Sequence, residues 1–240
     1  MLKIGYLAPE GTFTHQAAKK YASKYKECEL VGFSTINDCL EAVDNREVDF
    51  GVAPFENSIE GTVNTTIDKL ISSKDLFIQS QVELQINHFL LMKKNTLNQK
   101  PSKILSHPQA LAQCRQFLEK HYSGIELNEV NSTALASKIV SESDECIAAI
   151  STDICAEIYD LEIVNHKIQD VKNNKTYFIL VSKKENVTPK LNHKISLAFS
   201  TLHKPCELYK ILDIFSLWNI NMTKINSRPM RDKIGEYVFY

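Results

Sequence analysis

The sequence has no paired cysteine motif, no excess of charge of one sign, no long apolar run and no internal repeat, and each absence removes a class of protein. Its six cysteines (Cys28, Cys39, Cys114, Cys146, Cys155 and Cys206) are scattered, with no CxxC pair and no histidine at zinc-ligand spacing. They read as reduced, mostly buried thiols of a cytoplasmic protein, and no metal site is expected. Basic residues number 28 and acidic residues 29, a net charge of −1, so nothing electrostatic calls for nucleic acid or a membrane surface as partner. No segment reaches the roughly 18 to 20 apolar residues that a membrane helix needs. The opening run Met1-Leu2-Lys3-Ile4-Gly5-Tyr6-Leu7 is too short for a secretory signal and reads as a first strand. What remains is a cytoplasmic protein with a small-molecule ligand.

What is present is an ordinary globular composition: 240 residues, 43% apolar and 24% charged, enough for one to two domains with real cores. Apolar runs alternate with helical periodicities, predicting strands over 3–7, 29–33 and 49–53 and helices over 14–24, 36–44 and 62–72. The helix over 36–44 is the clearest, since Ile36, Cys39, Leu40 and Val43 fall at i, i+3, i+4 and i+7. Such alternation predicts a parallel sheet flanked by helices. Strand-like runs over 76–84 and 86–92 and a polar segment over 93–101 lead into a second series. That series has strands over 104–106, 126–130, 147–150 and 162–167 and helices over 108–121, 133–140 and 153–159. The polar turn Lys172-Asn173-Asn174-Lys175 then precedes a strand over 176–182. Two α/β units joined by a double crossing resemble a hinged, two-lobed binding architecture with its ligand in the cleft. After a linker over 185–192, the pattern becomes strand 194–202, helix 205–217, strand 222–225 and strand 237–240. The helix places Leu208, Ile211, Leu212, Phe215 and Trp218 on one side, and Pro205 suits its first turn.

The segment Pro54-Phe55-Glu56-Asn57-Ser58-Ile59-Glu60-Gly61-Thr62 stands between a buried strand and a helix that Gly61-Thr62 would open. Unpaired N–H groups and the positive dipole end at a helix start stabilise a carboxylate or phosphate without a charged side chain. The plainer alternative is that Asn57 and Ser58 cap and turn the chain.

Several ordered motifs resemble prephenate dehydratase along nearly the whole chain. They are residues 5–14 (GYLAPEGTFT), 54–63 (PFENSIEGTV), 106–111 (SHPQAL), 148–151 (AAIS) and 168–170 (IQD). The last segment, with Asn221 to Pro229 and Glu236 to Phe239, is similar to the start of the amino-acid-binding ACT module through which this family responds to phenylalanine. The resemblance implies a two-lobed α/β catalytic domain like the type 2 periplasmic binding proteins over 1–184, one lobe from about 1–80 plus 170–184 and the other from about 85–167. A partial ferredoxin-like α+β ACT domain would follow over 193–240. The implied reaction is loss of water and carbon dioxide from prephenate to give phenylpyruvate, a lyase reaction of phenylalanine biosynthesis that needs no cofactor.

The family's essential threonine lies in a Thr-Arg-Phe motif, which maps onto Thr176-Tyr177-Phe178. The resemblance therefore makes Thr176 the catalytic residue, a positioned donor relaying a proton to the leaving hydroxyl; without it, Thr176 would read as a β-branched strand residue. Substrate contacts are expected from Thr12, Glu56, Asn57, Ser58, Gly61, Thr62, Ser106, His107, Gln109 and Phe178. Neutral donors at the helix starts suit a substrate with two carboxylates, because an ion pair on the carboxylate that leaves would stabilise the ground state. His107 and Gln109 have capping and first-turn roles as their alternatives. Tyr177 replaces the family's arginine, losing a clamp of about 1.5–3 kcal/mol per charged hydrogen bond, so reduced activity is expected. Strand alternation puts Tyr177 on the face opposite Thr176, which makes a structural role for that arginine the alternative.

For the effector phenylalanine, the resemblance points to Leu208, Asn221, Ser227 and Arg228. Pro205-Cys206-Glu207-Leu208 stands where the family has Pro-Gly-Ala-Leu, and Cys206 hinders the close approach that glycine permits. Asn226 replaces the glutamate of Glu-Ser-Arg-Pro. The sequence stops at Tyr240 where an ACT module still needs a helix and a strand, so a truncated module or cover by a second subunit is expected, with a homodimer or homotetramer as the assembly. Arogenate dehydratase and a non-catalytic solute sensor on the same scaffold are the alternatives; Tyr177 favours the sensor and Thr176 opposes it.

Overall fold

Alternating apolar strands and amphipathic helices build the first sheet: β1 (Leu2–Leu7), α1 (Phe13–Ala22), β2 (Cys28–Phe33), α2 (Ile36–Asp44), β3 (Phe50–Asn57), β4 (Gly61–Thr62), α3 (Asn64–Ser72) and β5 (Phe77–Gln85). This computed structural model describes residues 1–73, 75–184, 194–229 and 237–240. The chain divides into two compact units, Met1–Asn186 and Val187–Tyr240. The linker expected over 185–192 lies outside the described residues.

The second sheet follows in β6 (Phe89–Met92), β7 (Lys103–Ser106), α4 (Pro108–Gln113), α5 (Arg115–His121), β8 (Glu126–Glu129), α6 (Thr133–Glu142), β9 (Ala148–Ser151), α7 (Asp153–Ile158) and β10 (Glu162–Asn165). The chain then returns to the first sheet as β11 (Lys175–Ser182), giving the orders β2-β1-β3-β11-β5, with β4 on β3, and β10-β6-β9-β7-β8. The fold is mixed α/β. The expectation of parallel sheets holds for β1, β2 and β3 and for β7, β8 and β9. It fails at β11, which lies antiparallel to both β3 and β5, and at β6 and β10.

β11 is covered on both faces, which explains its continuous apolar run. Phe178 and Leu180 pack with Ile4, Tyr6, Tyr21 and Val52, whereas Ile179 and Val181 pack with Leu40, Val43 and Ala53. Each such buried side chain contributes about 1.5–3 kcal/mol. The second sheet is sandwiched likewise, with Leu91, Leu105 and Ala149 on one side and Leu90, Ile104 and Ile150 on the other.

Several boundaries depart from expectation. β3 runs on to Asn57 instead of stopping at 53, and α3 starts at Asn64, so Gly61-Thr62 forms a short strand and not a helix start. The single helix expected over 108–121 is interrupted at Cys114, whose φ of −111° and ψ of 15° leave the helical region. In the C-terminal unit, β12 (Phe199–Ser200), α8 (Glu207–Leu217), β13 (Ser227–Pro229) and β14 (Tyr237–Phe239) form an antiparallel sheet of order β12-β14-β13 beside one helix. The strand predicted over 222–225 is displaced to 227–229. Leu208, Ile211, Leu212 and Phe215 form the half-buried side of α8, but Trp218 is its C-cap and is 73% exposed, so it does not belong to that face.

Candidate active site

Strand pairing sets Thr176 of β11 opposite Asn57 of β3, where β3 ends and the chain turns. Asn57 Oδ1 accepts the backbone N–H groups of Ile59 (2.9 Å) and Glu60 (3.0 Å) and closes that turn. Backbone nitrogens only donate, so the orientation of the Asn57 amide is fixed. Its Nδ2 then donates to Thr176 Oγ1 and to Asn174 Oδ1, both at 2.8 Å. Thr176 is 7% exposed, and no described residue accepts its hydroxyl proton. The oxygen is held from the protein side by Asn57, which leaves the hydroxyl free to donate.

Asn174 is 1% exposed and lies two residues before Thr176, on the same side of the chain. Its Oδ1 also accepts from Ser58 Oγ (3.3 Å), which in turn accepts the Lys175 N–H (2.9 Å). Asn174 Nδ2 donates to Gln113 Oε1 at 3.0 Å, and His88 Nε2 meets the same oxygen at 3.1 Å. The His88 N–H donates to Gln169 Oε1 (3.0 Å), and Phe13 packs edge-on to the ring. Burial pushes the His88 pKa down, against a smaller upward pull from the Gln113 hydrogen bond. Asn174, Gln113 and His88 are the residues that sequence reasoning missed as site components. The available signal was a polar pair, Asn87-His88, inside the apolar run from Ile86 to Met92.

Several expected anion-holding groups have other work. The stretch from Pro54 to Thr62 is a hairpin, with Glu56 opposite Thr62 and Asn57 opposite Gly61, whose φ of 82° suits the turn. No helix dipole points from it. Thr12 caps α1: its Oγ1 donates to the Leu7 carbonyl (2.8 Å) and accepts the His15 N–H (3.1 Å). Ser106 is fully buried and donates to the Ile150 carbonyl at 2.6 Å. Phe178 is 2% exposed within the core, so it packs the fold and cannot line an open site. His107 caps α4 through Nδ1, which accepts the Gln109 N–H at 3.3 Å, and burial lowers its pKa. Gln109 sits in the first turn of α4, half-buried. The structure thus groups Asn57, Ser58 and Thr176 directly, with Glu56, Gly61 and Thr62 on the adjoining hairpin.

Tyr177 pairs with Glu83 of β5, and the hydrogen bond to Glu83 is the main cause raising the tyrosine pKa. Lys175 reaches the same carboxylate at 2.6 Å. Tyr177 and Lys175 therefore share the face away from Thr176.

The two sheets also meet at the loop after β1. Thr152 Oγ1 donates to the Gly11 carbonyl (2.8 Å), and Tyr159 Oη donates to that of Glu10 (3.0 Å). Gly11 has a φ of 92°, and a Cβ there would run into Cys155 Sγ.

This arrangement spans residues that one family describes together: the prephenate dehydratase family model matches residues 4–186. The chain belongs to the prephenate dehydratase family. The prephenate dehydratase of Methanocaldococcus jannaschii is 44% identical over 241 residues, covering 98% of this chain and 85% of the relative. That of Bacillus subtilis is 37% identical over 249 residues, covering 99% and 87%. The crystal structure of a prephenate dehydratase from Arthrobacter aurescens in complex with L-Phe superposes with a TM-score of 0.82 at 29% identity, covering 99% of this chain and 78% of that one.

The residues considered for an effector lie in the C-terminal unit. Leu208 lines a pocket of about 210 Å³ together with Thr201, Cys206, Glu207, Tyr237 and Phe239. Asn221, Ser227 and Arg228 do not line it; Asn221 is exposed outside regular structure, and Ser227 and Arg228 are on β13.

Proposed function

We propose that the protein converts prephenate to phenylpyruvate, with Thr176 delivering the proton that lets the ring hydroxyl leave as water. One observation carries this reading: a buried hydroxyl oxygen gripped by Asn57 Nδ2 at 2.8 Å, its proton claimed by no described residue. A threonine hydroxyl is too weak an acid to ionise at neutral pH, so it works by orientation. In the step, the Oγ–H proton passes to the departing hydroxyl, the C–O bond breaks and the ring carboxylate leaves as carbon dioxide. Its C–C bonding pair completes the aromatic ring. The threonine oxygen regains its proton from solvent hydronium, so one solvent proton is consumed in each turnover as water and carbon dioxide leave. Aromatisation supplies the drive, and the protein supplies geometry.

Asn57 belongs to this scheme as the group that orients Thr176. Ser58, Glu56, Gly61, Thr62, His107 and Gln109 are assigned to the substrate-binding surroundings. The catalytic domain is read as two lobes of the periplasmic-binding type, and the C-terminal unit as part of an ACT module, in keeping with its first-third-second strand order beside one helix. Phenylalanine is the proposed effector, supported by the L-Phe in the Arthrobacter aurescens relative and by the pocket at Leu208. A homodimer or homotetramer through the same unit is supported by Ile214 and Leu217 of α8, which are 55% and 80% exposed. Light scattering at micromolar concentration tests it, and a monomer there removes it.

The test of the activity is incubation of purified protein with prephenate while phenylpyruvate is followed, with Thr176→Ala as control. Turnover that Thr176→Ala abolishes is expected. No turnover by the unaltered protein, or full turnover by the variant, refutes the reading.

A further inference from the structure

The hydrogen-bond direction set at Asn57 propagates through the molecule. Ile59 and Glu60 hold Asn57 Oδ1, so its Nδ2 faces Asn174, and the group there must be the oxygen. Asn174 is left with Nδ2 for Gln113, which must answer with Oε1. An oxygen at 3.1 Å from His88 Nε2 makes a hydrogen bond only if that nitrogen carries the hydrogen. The result is a neutral His88 with its proton on Nε2, and with Nδ1 buried and without a partner. Burial favours that neutral ring. The chain begins at the hairpin of the first sheet, passes through α4 and ends at the residue before β6 of the second.

We propose that Asn174 is a positioning residue for proton transfer: it carries one donor sense from the β3 turn to Gln113 Oε1, where His88 Nε2–H donates from the side of the second sheet. With Asn57, it keeps Thr176 Oγ1 an acceptor on its protein side and hence a donor towards the substrate. Asn57 Nδ2 has two hydrogens, and its short contacts direct one to Thr176 and one to Asn174, with the Lys175 carbonyl farther off at 3.3 Å. Removing Asn174 leaves that N–H only the Lys175 carbonyl at 3.3 Å, so Nδ2 is drawn towards the backbone and its hold on Thr176 loosens. The inference rests on Thr176 being the proton donor.

Two measurements test it. In the unaltered protein, the ¹⁵N shifts of the His88 ring are expected to show hydrogen on Nε2 and none on Nδ1; the opposite tautomer overturns the proposal without any variant being made. Asn174→Ala is expected to lower kcat about tenfold or more with KM within about twofold, the pattern of a lost transition-state contact. In a Thr176→Ala background the same change is expected to cost nothing further, because the two residues act as one unit. A further tenfold loss there, or a rise in KM with kcat intact, also overturns it. Thr176→Ala retaining full activity would sink the proton-donor reading while leaving the tautomer result to stand by itself.

Discussion

Asn57 Nδ2 reaches Thr176 Oγ1 at 2.8 Å across 119 residues of sequence. The contact decides which way a weakly acidic hydroxyl faces, so the position should require an oxygen with a proton and little else. Thr176→Ser is expected to keep kcat within about tenfold, whereas Thr176→Val, nearly equal in shape, should lose about 10²–10⁴-fold, the usual span for a general acid. Steady-state kinetics with circular dichroism of both variants makes the check. Equal loss in the two would mean that the methyl group, not the hydroxyl, matters.

Tyr177→Arg should change kcat/KM by less than about twofold, against the expectation that a missing clamp weakens the enzyme. Tyr177 and Lys175 already meet at Glu83, on the face away from Thr176, and an arginine would join the same exposed cluster. A large gain in activity would show that the side chain reaches the substrate after all.

Acidification should weaken the fold from the histidines upward. His15, His88 and His107 all have pKa values below the ordinary 6.5, with burial as the leading cause. The unfolded chain takes up these protons as pH falls through about 6.5 while the folded chain does not, so unfolding is favoured below that point. The urea midpoint is expected to fall between about pH 7 and pH 5, and His107→Gln to flatten the slope. A midpoint that rises over this range would contradict the assignment.

Cys206→Gly should stabilise the C-terminal unit by about 0.5–1 kcal/mol. Cys206 has a φ of 64°, a left-handed conformation that costs an L-residue about 1–2 kcal/mol, part of which glycine returns as chain entropy. The chain's single tryptophan, Trp218, caps the far end of α8, so its fluorescence reports this unit selectively. A lower unfolding temperature in the variant would refute the strain argument.

Much of this architecture is legible in the sequence because helices and doubly buried strands carry strong periodic signals. The helix over 36–44 has the predicted ends, since Thr35 caps it and its apolar positions recur without interruption. The failures are tertiary. Nothing local to Phe50–Asn57 tells how far β3 extends, because the residues beyond 53 gain their partners from β11, more than a hundred positions later. The same distance hides the site. Thr176 and Asn57 are visible through family motifs, but Asn174, Gln113 and His88 are unremarkable polar residues until folding brings Gln113 Oε1 within 3.0 Å of Asn174 and 3.1 Å of His88. Thr12, Ser106 and Phe178 also stand in motifs, and there the motif marks residues with capping, hydrogen-bonding and packing contacts inside the protein.

The strand order has a bearing on synthesis from the ribosome. All five strands of the second sheet lie between residues 89 and 165, so that sheet can close as soon as its own segment has emerged. The first sheet cannot. Its β3 and β5 are made early but are separated by the place of β11, and both keep an open edge until residue 182 arrives. The nascent chain therefore carries an unfilled gap between β3 and β5 while the second sheet is translated, and the strand that fills the gap delivers Thr176. Closing the first sheet and setting the proposed proton donor beside Asn57 therefore depend on the same strand.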